Sequence, residues 1–179
     1  MGGGIIIPGD YDDWKFLALA KSGAGAPQRN SINGAGCRVW SLANGDGVEA
    51  DGNQVPHDYA EGTDITPHLH WSVTVTGVYT GTWTMRYVDR LSVATGSALL
   101  AEKTITIPIS GTYTANEMQT ANFSAVIAGV VATVPRRISS IIHADLILSL
   151  SAAAGRCQLE GWDCHYIKDR LGSSQITTK

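Results

Sequence analysis

The chain has 179 residues, of which 44% are apolar and only 16% charged, with a net charge of −3. That length suits one domain whose core needs no staple, and the lack of any Lys/Arg block excludes a chain that grips free nucleic acid through clustered cations. No apolar run approaches the roughly 18 residues of a membrane span, so neither nucleic acid nor membrane is expected as a direct partner.

Residues 1–9, MGGGIIIPG, read as an extended arm rather than a signal peptide: there is no basic start, and the apolar stretch is three isoleucines long. Residues 10–23 fit a short helix, capped by Asp12 or Asp13 and stopped by Gly23, and fit a strand equally well. A Gly-, Pro- and Asn-rich loop follows over 22–36, then a candidate strand, CRVWSLA, and a second turn-rich loop, NGDGVEADGN, over 44–53. This divides the chain into an arm and loop-rich region, 1–53, and a β-sandwich domain, 54–179, together forming one globular unit.

From Gly62 onward the pattern is all-β. In HLHWSVTVT, Leu69, Trp71, Val73 and Val75 share one face, and His68, His70, Ser72, Thr74 and Thr76 share the other. GVYTG (77–81) reads as a turn, and TWTMRYV continues with Trp83, Met85 and Tyr87 on one face, so the two runs suggest a hairpin. TITIPI (104–109) alternates again, with Pro108 arguing for an edge. Residues 121–131 and 138–150 read as strands, the latter with Ile142, Ala144, Leu146, Leu148 and Leu150 on its apolar face. CQLEGWDCHYIKD (157–169) closes the set, with Trp162, Cys164 and Tyr166 on one face, and a polar tail ends the chain. Six to eight such strands with little helix fit a β-sandwich or jelly roll with an extended N-terminal arm and a polar C-terminal tail.

The cysteines are Cys37, Cys157 and Cys164. An odd count without close motifs reads as reduced, buried thiols rather than a disulfide framework. Cys157 and Cys164 are an odd number of residues apart and so should face opposite sides of one strand.

Three of the five histidines fall between Gln54 and Thr76. His68 and His70 share a strand face with Cα atoms about 6.5–7 Å apart, close enough to bind one metal. Gly62, His68 and His70 resemble the opening of the cupin metal motif, but Thr74 and Val75 stand where that motif has its Glu, and its second block is missing. A site needs three or four ligands, and neither His57, Asp64 nor His165 is tied to the pair by sequence. The simpler expectation is therefore that no metal or other cofactor is bound and that both rings hydrogen-bond within a polar face. Asp46, Glu49, Asp51 and Asn53 lack the spacing of a calcium loop and read as a solvated turn. His143 with Asp145, and Asp163 with His165, read as structural hydrogen-bonding pairs. No nucleotide-binding loop or nucleophile elbow is present, and no catalytic residue is assigned.

The segment QVPHDYAEGTDITPHLHW (54–71) resembles a motif of a family of tailed-bacteriophage virion structural proteins, and WDCHYIKDRLGSSQITTK (162–179) is similar to the ending of the same family. Ala60 departs from the pattern, which often has Lys there, and the chain before Gln54 matches poorly. The resemblance implies a β-sandwich component of a virion, assembled in the host cytoplasm. The expected role is a capsid decoration protein, a homo-oligomer with a trimer favoured, bound to the major capsid protein. His57, Glu61, Asp64, His68, His70, His165 and Asp169 are expected to form one hydrogen-bonded seam between the two blocks. Two rival readings remain: a fibre-associated module binding host glycans through exposed Trp14, Trp40 or Tyr79, and a cupin-like metal-dependent enzyme built on His68 and His70.

Overall fold

Alternation tells each strand which face to bury; a computed structural model shows where those faces meet, and it describes residues 11–20, 27–31, 38–93 and 96–168. Two antiparallel sheets form. The first holds β1 (Tyr11–Lys15), β3 (Gln28–Ser31), β4 (Arg38–Leu42), β6 (Thr66–Val73), β10 (Gln119–Asn122) and β14 (Cys157–Ile167). The second holds β2 (Leu19–Ala20), β5 (Gly47–Gln54), β7 (Gly77–Val93), β8 (Gly96–Leu99), β9 (Lys103–Tyr113) and β13 (Ile141–Ala153). A small hairpin, β11 (Val130–Val131) with β12 (Val134–Pro135), stands apart.

The pairing is nested: β4 with β14, β5 with β13, β6 with β10, and β7 with β9. This ribbon is rolled so that β14 also meets β6 and β13 also meets β7. The first sheet therefore runs β4-β14-β6-β10 and the second β5-β13-β7-β9, with the chain switching sheets from β4 to β5, β5 to β6, β6 to β7, β9 to β10 and β13 to β14. That is a jelly roll.

The roll corrects several expectations. The 68–76 and 82–88 runs are not a hairpin: β6 and β7 lie in opposite sheets, because Trp71 and Trp83 both bury inward and meet across the core with ring centroids 6.3 Å apart. The bend falls at Thr74–Thr76, and residues 77–81 already belong to the 17-residue strand β7. The sequence NGDGVEADGN is not a loop in its second half; it forms β5, because a neighbour on each side, β2 and β13, satisfies its backbone and the core takes Val48 and Ala50. The boundary expected at 53/54 cuts through β5, and β4 and β5 are integral to the roll. Of residues 10–23, the described stretch 11–20 holds two short strands rather than a helix. Residues 121–131 are not one strand: Phe123 to Gly129 form a loop pinned by the bridge between Ile65 and Ile127. Pro108 does sit on an edge, since β9 pairs with β7 alone. The arm 1–9, the tail beyond Lys168 and Cys37 lie outside the described residues.

The core lies between the sheets. It takes Leu69, Trp71, Val73, Leu159, Trp162 and Tyr166 from one side and Trp83, Met85, Ile105, Ile107, Leu146 and Leu148 from the other. Leu150, at the far end of its face, is half-buried. Cys157 and Cys164 both face inward, against the odd-spacing argument, because a register shift between Leu159 and Gly161 inverts the alternation along β14. Burial pushes the Cys157 thiol up to about 12 and that of Cys164 well above its usual range. A Cys37→Ser variant should thus show no rapid reaction with a thiol reagent while folded and two reactive thiols in denaturant; rapid labelling of the native chain would show that the core opens around β14.

An ion pair is buried as well. The Arg136 guanidinium is fully enclosed and donates to both Asp89 oxygens, at 2.5 and 2.9 Å, and to the Ala128 carbonyl at 2.9 Å. Its neighbour Arg137 is exposed.

Candidate functional site

β6 runs between β10 and β14, so its outward side chains are flanked on both sides. The register places His68 opposite Asn122 on β10 and Asp163 on β14; His70 stands opposite Thr120 and Gly161. A Cβ at position 161 would lie 3.1 Å from the His70 ring, so the glycine leaves room for that ring to lie over β14.

Three donor atoms converge there. His68 Nε2 is 2.8 Å from Asp163 Oδ1 and 2.9 Å from His70 Nε2. His70 Nε2 is 3.8 Å from Asp163 Oδ2. Taking one donor atom from each residue, the three lie within 4.8 Å of one another. His68 and Asp163 are buried, at 2% and 4% exposure, whereas the His70 side chain is 29% exposed. Thr120 Oγ1 sits 3.1 Å from His70 Nδ1 and fixes that ring from β10. The His165 ring lies 4.1 Å from the His68 ring and turns its own Nε2 to Asp13 Oδ1, 3.1 Å away, across the β1–β14 pairing.

The short contact between His68 Nε2 and Asp163 Oδ1 is not a hydrogen bond: the oxygen receives no donor despite its proximity. Burial lowers the His68 pKa and raises that of Asp163, in each case against the pull of the other's charge. Both directions disfavour a charged pair, as desolvation does when no further donors compensate.

No family model and no curated protein matches this chain. Among solved structures it is similar to a chain of infectious bursal disease virus, Gx strain, with 14% identity and a TM-score of 0.41 over 88% of this chain and 32% of that one. It is also similar to a chain of the VP2 subviral particle of infectious bursal disease virus, with 12% identity and a TM-score of 0.40 over 90% of this chain and 34% of that one. The chain thus spans about a third of the length of those chains. The jelly-roll assignment rests on the strand pairing itself.

Of the residues expected in the seam, the fold brings together His68, His70 and His165. Glu61 instead accepts the Ile138 amide, 3.1 Å away, and Asp64 accepts the Gly129 amide, 2.8 Å away, so both pin the turn before β6 to the loops around β11 and β12. His57 is exposed, with Nε2 3.5 Å from the Gln54 side chain. Asp169 lies outside the described residues. Of the other expected pairs, Asp163 turns to His68 rather than His165; Asp145 binds Arg86 at 2.7 Å, and His143 accepts the Gly52 amide. Asp163 was visible as an acid on the last strand, but alternation within that strand points to a partner at position 165. Only the β6–β14 register points to position 68.

The glycan platform is not assembled from the residues named for it. Tyr79 is fully buried and donates its hydroxyl to the Val75 carbonyl at 2.9 Å. Trp40 is half-buried, its Nε1 donating to the Ala18 carbonyl and its ring covered by Arg29 at 4.7 Å. Trp14 packs on Phe16 at 5.1 Å. The cupin-like arrangement fares no better: His68 and His70 face outward, while the interior behind them is filled by Leu69 and Trp71.

Proposed function

We propose that this chain is a non-enzymatic structural component of a tailed-bacteriophage virion, a decoration protein that binds the major capsid protein as a homotrimer. The observation that carries the reading is spatial. The two blocks resembling the phage family, at 54–71 and 162–179, lie far apart in sequence, yet they pair directly from Thr66 with His165 to Leu69 with Trp162, within strands β6 and β14. The strand portions of the two blocks, 66–69 and 162–165, are thus direct neighbours in one sheet. Jelly rolls also serve lectins and cupins, so the fold is an analogy and the paired blocks supply the weight. The low charge leaves a surface of Ser, Thr and Gln that suits protein contact more than steering of charged ligands.

Antibodies raised against the purified chain should decorate the heads of intact particles at regular intervals in immunogold electron microscopy, and native mass spectrometry should give a three-chain species. Label confined to the tail, or absent from particles whose major capsid protein is labelled in parallel, would overturn the decoration role.

A further inference from the structure

We propose that His68, His70 and Asp163 form a binding site for one divalent transition-metal ion of the zinc class, which ties β6 to β14. The donor set is two imidazole nitrogens and a carboxylate, the chemistry that zinc-class ions prefer over magnesium or calcium. The spacing fits. Ligand atoms about 2.0–2.1 Å from one ion lie about 2.9 Å apart at a right angle and about 3.4 Å apart at a tetrahedral one. His68 Nε2 stands 2.8 Å from one Asp163 oxygen and 2.9 Å from His70 Nε2, His70 Nε2 stands 3.8 Å from the other Asp163 oxygen, and one donor atom from each residue falls within 4.8 Å of the others, so side-chain movements would centre an ion between them.

Hydrogen bonding alone leaves the cluster incomplete. His68 Nε2 carries at most one proton, yet both Asp163 Oδ1 and His70 Nε2 stand at contact distance from it. Asp163 Oδ1, in a side chain 5% exposed, receives none. A buried carboxylate oxygen without a donor is costly, and a cation at the meeting point gives all three atoms a partner at once. The surroundings are arranged for it. Gly161 clears the space that the His70 ring occupies, and Thr120 holds that ring by its other nitrogen, as an outer partner does for a ligating histidine. With three protein ligands and His70 part-exposed, a fourth position faces outward for water or a group from a neighbouring subunit.

The site does not depend on the virion reading. Its test is isothermal titration of the tag-free, chelator-treated full chain with Zn²⁺, with native mass spectrometry for stoichiometry and circular dichroism to confirm folding. One ion per chain is expected. Zinc at a hundredfold excess over Kd should raise the Tm by about 5–10 °C. Asp163→Asn and His70→Gln should each weaken binding at least tenfold, while His57→Gln binds as the parent does. Should Asp163→Asn fail to fold, the half-exposed His70→Gln still decides. A folded parent chain that takes up no stoichiometric zinc, or a His70→Gln chain that binds zinc as tightly as the parent, would overturn the proposal.

Discussion

Asp89→Ala should destabilise the fold by about 3–5 kcal/mol, the loss that follows when one partner of a buried ion pair is removed. Arg136 is fully buried, and once Asp89 is gone the described structure leaves its guanidinium the Ala128 carbonyl alone. The charge cannot be shed, because guanidinium does not deprotonate in proteins. The cost is compounded by position. Arg136 directly follows β12, and its amide and carbonyl bind Gly129 and Gly62, so the pair anchors the β11–β12 hairpin and the turn before β6. That hairpin turns through Ala132 and Thr133 at φ of 47° and 71°, a left-handed geometry that neither residue favours. Surroundings must hold such a turn in place, and the Arg136–Asp89 pair is the nearest device. Urea titration should show the midpoint falling with little change in slope, and the Tm should drop by about 6–20 °C. A loss below about 1 kcal/mol would mean that water reaches Arg136. The double replacement Asp89→Leu with Arg136→Met is expected to recover much of the loss, since paired apolar substitutes need no solvation.

Trp83→Ala should cost a comparable amount, about 3–5 kcal/mol, as large-to-small substitutions do in rigid cores. Trp83 is fully buried on β7, level with Leu148 of β13 and Ile107 of β9, and it faces Trp71 of the other sheet with the planes at 65°. Removing it opens a void where the two sheets meet, and strands tied by ladders on both sides cannot collapse inward to fill it. Trp83→Phe should be far milder. It keeps an aromatic ring and discards an indole N–H that is buried without an acceptor. Far-UV circular dichroism in urea separates the two variants; an alanine variant as stable as the phenylalanine one would argue against a packed contact between the sheets.

Both residues show what a chain pattern conveys. Trp83 was assignable to the core because β7 alternates, and a period of two names the buried face without reference to any partner. Arg136 was not. Nothing in its neighbourhood, Arg137 included, marks it as buried, and its carboxylate lies 47 positions away on another strand. The same divide runs through the candidate site. That His68 and His70 share one outward face follows from their spacing. That Asp163 completes the cluster follows from the β6–β14 register, and that the His70 ring fits beside it follows from Gly161.

By itself, then, the sequence determined the all-β class, the inward faces of β6, β9 and β13, and the edge position of β9. Each of these is written locally, in alternation or in a proline that cannot donate to a ladder. Tertiary structure decided which strands meet. It sent β6 and β7 to opposite sheets, drew β5 out of a segment rich in turn formers, and turned Cys157 and Cys164 to the same side through a shift of register. The physical reason is common to all three. Backbone hydrogen bonds between strands are chemically alike at every position, so partner and register are chosen by the packing of the whole core and not by any short run of residues.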